Sequence, residues 1–162
     1  MVRHFSAVAV AVLCHNHPEL MQATIDQLGD NIMIIDNGSE PRLKSRQRMM
    51  YISPAVPYTV AWNCAMRFFY QSGYEWVWML NNDLQGLSGS IFEGLLQTAF
   101  SAPSSVAGIS PAYNSPHAHM HKQSEGLREV NWLDFAGPMI NTYWFCKATE
   151  GFDEAFEGYG CD

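Results

Sequence analysis

Residues 7–36 read AVAVAVLCHNHPELMQATIDQLGDNIMIID, and this stretch decides the fold. The run from Ser6 to Leu13 is apolar without alternation, which predicts a strand covered on both faces, as in the parallel part of an α/β sheet. His15, Asn16 and His17 form a polar turn, and Pro18 then suits the first turn of a helix whose N-terminal end Glu19 favours. A helix over Pro18–Leu28 buries Leu20, Met21, Thr24, Ile25 and Leu28, and Gly29 stops it. Asn31–Asp36 is a second short strand, with Asn37-Gly38-Ser39 as the turn after it. The unit is therefore strand, helix, strand, with an Asp at the carboxyl end of the second strand, the end at which open α/β sheets bind ligands.

The remaining sequence extends this plan. Met49–Ile52 reads as an edge strand, and Pro54 and Pro57 exclude regular structure between them. Ala61–Gln71 reads as a helix with Ala61, Ala65, Phe68 and Phe69 on its buried side and Gly73 as its stop. Glu75–Leu80 (EWVWML) is a third apolar strand that runs straight into Asn81-Asn82-Asp83. A helix over Ser90–Phe100, a strand over Val106–Ser110, a loop over 114–126, an extended stretch over 130–140 broken at Gly137-Pro138 and a short helix over Tyr143–Ala148 complete the pattern. The expected architecture is one domain over residues 1–162, an α/β/α three-layer sandwich with a mostly parallel central sheet.

Composition bounds the function. The chain has 162 residues, 48% hydrophobic and 15% charged, which fits a globular domain and not a disordered chain or a collagen-like repeat. Nine Lys and Arg against 16 Asp and Glu give a net charge of −7, so no basic surface is available to coat a nucleic acid. A nucleotide held by backbone amides or through a metal ion is compatible with that charge. Cys14, Cys64, Cys146 and Cys161 form no CxxC pair and read as free thiols of a reducing compartment. The apolar segment Ala7–Cys14 is too short to span a bilayer and no small-residue cleavage site follows it, so the expected location is cytoplasmic, without a transmembrane segment. No GxxxxGK[ST], no GxGxxG after the first strand and no GxSxG elbow occur.

Two acids stand at strand ends. Asp83 can bind a divalent cation through oxygen, because Mg²⁺ or Mn²⁺ on a diphosphate needs only one or two protein carboxylates. Asp36 can accept hydrogen bonds from a nucleobase or ribose. Both segments also read as ordinary Asx-rich turns. His117, His119 and His121 would share one face of an extended segment, but a solvated loop is the simpler reading. Trp76 and Trp78 read as packing residues of a buried strand, whereas Trp132 and Trp144 are candidates for stacking on a sugar.

Taken in order, four segments resemble the family 2 type of glycosyltransferase, with its GT-A fold for nucleotide-diphosphate sugars. They are Val8–Asn16 (VAVAVLCHN), Ile32–Ser39 (IMIIDNGS), Ala61–Asp83 with its Leu-Asn-Asn-Asp, and Phe135–Asp162 with Gly151-Phe152-Asp153-Glu154 and Tyr159-Gly160-Cys161-Asp162. The resemblance implies that Asn81-Asn82-Asp83 takes the place of an Asp-x-Asp motif, with Asp83 as ligand of Mn²⁺ or Mg²⁺ and Asn81 and Asn82 near the ribose or diphosphate. It further implies that Asp36 contacts the base, that Cys14, His15 and Asn16 line the nucleotide pocket, and that Asn63 faces the same pocket. Asp162 matches the second acid of a Glu-Asp pair, the general base, with Cys161 where Glu is more usual. The implied activity is metal-dependent, inverting transfer from a nucleotide-diphosphate sugar donor to a hydroxyl of a saccharide, lipid or protein acceptor. The family pattern continues beyond such an acid into an acceptor region. The competing expectation is a nucleotide or nucleotide-sugar binding module without turnover.

Overall fold

A computed structural model describes residues 7–112, 126–130, 133 and 135–155. Six strands form one sheet: β1 (Ala7–Cys14), β2 (Met33–Asn37), β3 (Arg48–Ile52), β4 (Tyr74–Asn81), β5 (Gly108–Ile109) and β6 (Met139–Asn141). Three helices, α1 (Pro18–Leu28), α2 (Tyr58–Gln71) and α3 (Gly89–Ser101), connect them, and one π-helical turn covers Trp144–Ala148. The spatial order of strands is β3-β2-β1-β4-β6-β5. β1 lies parallel to β2 and β4, and β2 parallel to β3, whereas β6 runs antiparallel to both β4 and β5. The fold is thus α/β with a mixed, mostly parallel sheet. The chain lays β2 and β3 on one side of β1, then crosses to lay β4 on the other, so the order reverses between β1 and β4.

The period of two along the strands sorts the core into two halves. Val12, Cys14, Ile34, Trp76, Trp78 and Leu80 face α1 and α3 and pack with Met21, Ile25, Leu95 and Ala99. Ala9, Ala11, Leu13, Ile35, Val77 and Met79 face α2 and pack with Trp62, Ala65, Met66, Phe69 and, from the π turn, Phe145. The sheet is therefore covered on both faces, which explains the apolar runs without alternation. The Ala-Val repeat of β1 divides the labour: alanines make room for Trp62, Met66 and Phe69, and each such buried side chain contributes roughly 1.5–3 kcal/mol. Trp76 and Trp78 are packing residues as expected, Trp78 stacking on Phe92 at 5.5 Å and donating its indole N–H to the Gly137 carbonyl at 2.9 Å.

Helix α1 has the expected bounds, with Gly29 at φ +79 closing it. Helix α2 begins a turn earlier than the expected Ala61, at Tyr58 directly after Pro57. Phe68, expected on its buried side, is 40% exposed because Trp62, Ala65, Met66 and Phe69 occupy the stripe facing the sheet and leave Phe68 at its rim. The strand expected over Val106–Ser110 shortens to Gly108–Ile109, since its one ladder partner among the described residues is the three-residue β6. Most of the 114–126 loop lies outside the described residues. No described helix is long and apolar enough to cross a membrane, and Cys14, Cys64 and Cys146 are free thiols.

Candidate functional site at the carboxyl edge of the sheet

The strand register brings the expected site residues to one edge. Cys14 pairs with Asp36 across β1 and β2, and Leu13 pairs with Asn81 across β1 and β4. At about 4.8 Å between neighbouring strands, the ends of β2 and β4 flank that of β1 within roughly 10 Å of one another. Asp36 and the Asn81-Asn82-Asp83 turn therefore stand on the same edge, on either side of the point where strand order reverses.

The ends of β1 and β2 are stitched together. Asp36 is 2% exposed, and its two carboxylate oxygens accept the backbone N–H groups of Ser39 and Leu43, both at 3.0 Å. The expected base contact therefore meets a carboxylate already engaged in shaping the β2–β3 loop. Asn37 grips the loop before α2, its amide donating to the Val56 carbonyl at 2.8 Å and accepting the Val56 N–H at 3.0 Å. The Asn16 N–H donates to Ser39 Oγ at 2.7 Å, and Asn16 Oδ1 accepts the Glu40 N–H at 2.9 Å. That contact turns Asn16 Nδ2 toward His15 Nε2 at 3.1 Å, which makes Nε2 the acceptor and leaves Nδ1–H to donate to the Asn37 carbonyl at 2.6 Å. Asn16 and His17 both adopt left-handed backbone, φ +57 and +53, to make this turn.

Cys14 corrects an expectation. It sits at the right strand end, but its side chain is fully buried in the α1/α3 half of the core, where it cannot line a nucleotide pocket. Burial, with the Asp36 carboxylate beside it, pushes its thiol up to about 12, so the side chain stays a protonated, buried thiol near neutrality.

The end of β4 is different. Asn81 Oδ1 accepts the Tyr58 hydroxyl at 3.2 Å, and the Asn82 carbonyl accepts from Thr24 Oγ1 at 3.3 Å, which fixes the turn to α2 and α1. Asn82 Nδ2 is buried without an acceptor, one of two such side-chain atoms among the described residues, the other being Trp62 Nε1. Asp83 is exposed, and its carboxylate has no hydrogen-bond or ionic partner among the described residues. No group of three or more His, Cys, Asp or Glu among those residues could hold a metal by itself. One free carboxylate is as many protein ligands as a Mg²⁺ or Mn²⁺ ion would need if phosphate oxygens and water supplied its other positions.

Asn63 works elsewhere than expected. Its amide donates to the Phe152 carbonyl at 3.0 Å and to Glu154 Oε1 at 2.9 Å, and accepts the Phe152 N–H at 2.8 Å. With Arg67 and residues 149–154 it lines a polar cleft of about 390 Å³, not a pocket shared with Asp36. Only a partner 89 residues away in sequence reveals this role, so no local pattern announces it. The grip of Asn37 on Val56 is equally absent from local pattern, since Asn-Gly-Ser is an ordinary turn sequence. A second cavity of about 380 Å³ is apolar and lies between α1 and α3, with Val10, Trp78 and Phe92 among its walls. Trp144 uses its indole N–H on the Ser104 carbonyl at 2.8 Å. Asp162, Cys161, Trp132, His117, His119 and His121 lie outside the described residues.

Compared with known proteins, the chain matches no family model and no curated protein sequence.

Proposed function

We propose that this chain is a GT-A-type domain that binds a nucleotide-diphosphate sugar at the carboxyl edge of its sheet and transfers the sugar, with inversion, to an acceptor hydroxyl. One observation carries the reading: three Asx-bearing strand ends meet where the strand order reverses, and the carboxylate of one of them, Asp83, is free. Asp83, together with the diphosphate, would hold a divalent cation there, which when bound would supply Lewis-acid compensation for the negative charge on the leaving group. Asn82 Nδ2, buried without an acceptor, suits a phosphate or ribose oxygen. Asp162 is the proposed proton acceptor for the attacking hydroxyl.

A binding module without turnover is the second reading. It is favoured by the described edge itself, where the titratable side chains of Asp36 and His15 are held in internal hydrogen bonds and so are not free to act as the base. Thermal-shift titration with a panel of nucleoside diphosphates tests what both readings share. One diphosphate is expected to stabilise the protein in the presence of Mn²⁺ or Mg²⁺, and Asp83→Ala is expected to abolish that shift. No shift with any diphosphate overturns both readings. Where binding is found, hydrolysis of the matching nucleotide sugar that falls in Asp162→Asn separates the enzyme from the binding module.

A further inference from the structure

Asn63, 1% exposed, is, with Thr59 one turn before it, one of two polar residues on the buried face of α2, which is otherwise apolar. Its amide pairs with both the N–H and the C=O of Phe152, as a neighbouring strand would, and its second N–H reaches Glu154. Glu150 and Gly151, at φ +62 and +98, turn the chain so that Phe152 meets it. A Cβ on Gly151 would stand 2.5 Å from Asn63 Oδ1, so this position needs glycine for the close approach as well as for its backbone angle. Phe152 is also wedged edge-on between Phe135 at 4.7 Å and Phe145 at 4.9 Å. Phe135 in turn meets Tyr58, whose hydroxyl bonds Asn81.

We propose that Asn63 is a positioning residue: it fastens the 149–155 segment onto α2, with the Glu154 carboxylate at the cleft, as the acceptor half of the site, without taking part in nucleotide binding. This rests on the glycosyl-transfer reading, because the sequence continues from Ala155 to Asp162, the proton acceptor of that reading. The chemistry is specific. Asp at position 63 could still accept from Phe152 but could donate to neither partner, and it would face Glu154 as a like charge. Gln at position 154 could donate back to it. The pair Asn63→Asp and Glu154→Gln thus reverses donor and acceptor.

The experiment uses the full chain with Asn63→Asp, Glu154→Gln, the double variant and Gly151→Ala, the last of which disturbs the contact without altering α2. Hydrogen exchange at the Phe152 amide is expected to rise about tenfold in Asn63→Asp and Gly151→Ala, to change little in Glu154→Gln, and to return most of the way in the double variant. Affinity for UDP, GDP or CDP with Mn²⁺ is expected to stay within about twofold throughout, while kcat for nucleotide-sugar hydrolysis falls about fivefold or more, at unchanged donor KM, in Asn63→Asp and Gly151→Ala and recovers in the double variant. Unchanged Phe152 exchange in both Asn63→Asp and Gly151→Ala overturns the proposal, as does nucleotide affinity that falls in step with exchange. If the wild type binds none of the diphosphates, the glycosyl-transfer reading falls, and Phe152 exchange still decides whether Asn63 fastens the segment.

Discussion

The ends of β1 and β2 and the end of β4 share one edge of the sheet and one kind of residue, yet they are built to opposite purposes. At β1 and β2 the hydrogen-bonding groups of Asp36, Asn37, Asn16 and His15 are matched inside the chain. At β4 a buried amide lacks an acceptor and a carboxylate faces solvent. The same Asx chemistry that shapes a turn in one place is left available in the other. An acid at a strand end is therefore a candidate ligand only once its own loop has been satisfied.

Removing the acid at each end should break this contrast into numbers. Asp36→Ala leaves two buried backbone N–H groups without acceptors and is expected to lower unfolding free energy by about 3 kcal/mol, measured by denaturant titration. Asp36→Asn keeps a carbonyl acceptor and should cost about half as much. A loss below about 0.5 kcal/mol for Asp36→Ala would put Asp36 in the same class as a surface residue.

The thiols sharpen the contrast between a strand end turned inward and a helix face turned outward. Exposed Cys64 should react with an aromatic disulfide reagent at pH 8 in the native protein, whereas Cys14 should react only on unfolding. Because the folded-state value of Cys14 is raised from 9.0 to about 12, the unfolded chain ionises first. Stability from this group is complete below pH 9.0 and declines as pH climbs toward 12, a dependence that Cys14→Ala should remove. Rapid labelling of Cys14 in the folded state would contradict its burial.

Asp83→Ala gives the smallest expected change in stability, within about 0.5 kcal/mol, since the carboxylate has no partner to lose among the described residues. A destabilisation comparable to that of Asp36→Ala would mean that both ends of the edge are structural, and would erase the difference on which the ligand site depends.

Much of the fold was legible because its physics is local. Pro18 and Gly29 bracket α1, and the unbroken apolar runs of β1 and β4 announce a sheet covered on both sides. The shared carboxyl edge follows from the strand-helix-strand unit, whereas the strand order, with β4 beside β1 and an antiparallel β6, depends on pairings between distant segments. The site was less legible, because what a side chain touches depends on distant segments. Cys14 ends on the core side through the period-two register of β1, and Asp36 turns into a loop whose path the sequence around 41–57 does not reveal. Asn63 looks like any polar residue within a helix until residue 152 is brought beside it.

The alanines of β1 carry a last consequence. Ala9 and Ala11 set the depth at which α2 rests on the sheet, and α2 delivers Asn63 and Arg67 to the polar cleft. A methyl group added to that floor would overfill it and pass the strain to α2, the helix that forms one wall of the cleft. Anyone wishing to retune the cleft could leave its rim alone and adjust the foundation beneath it.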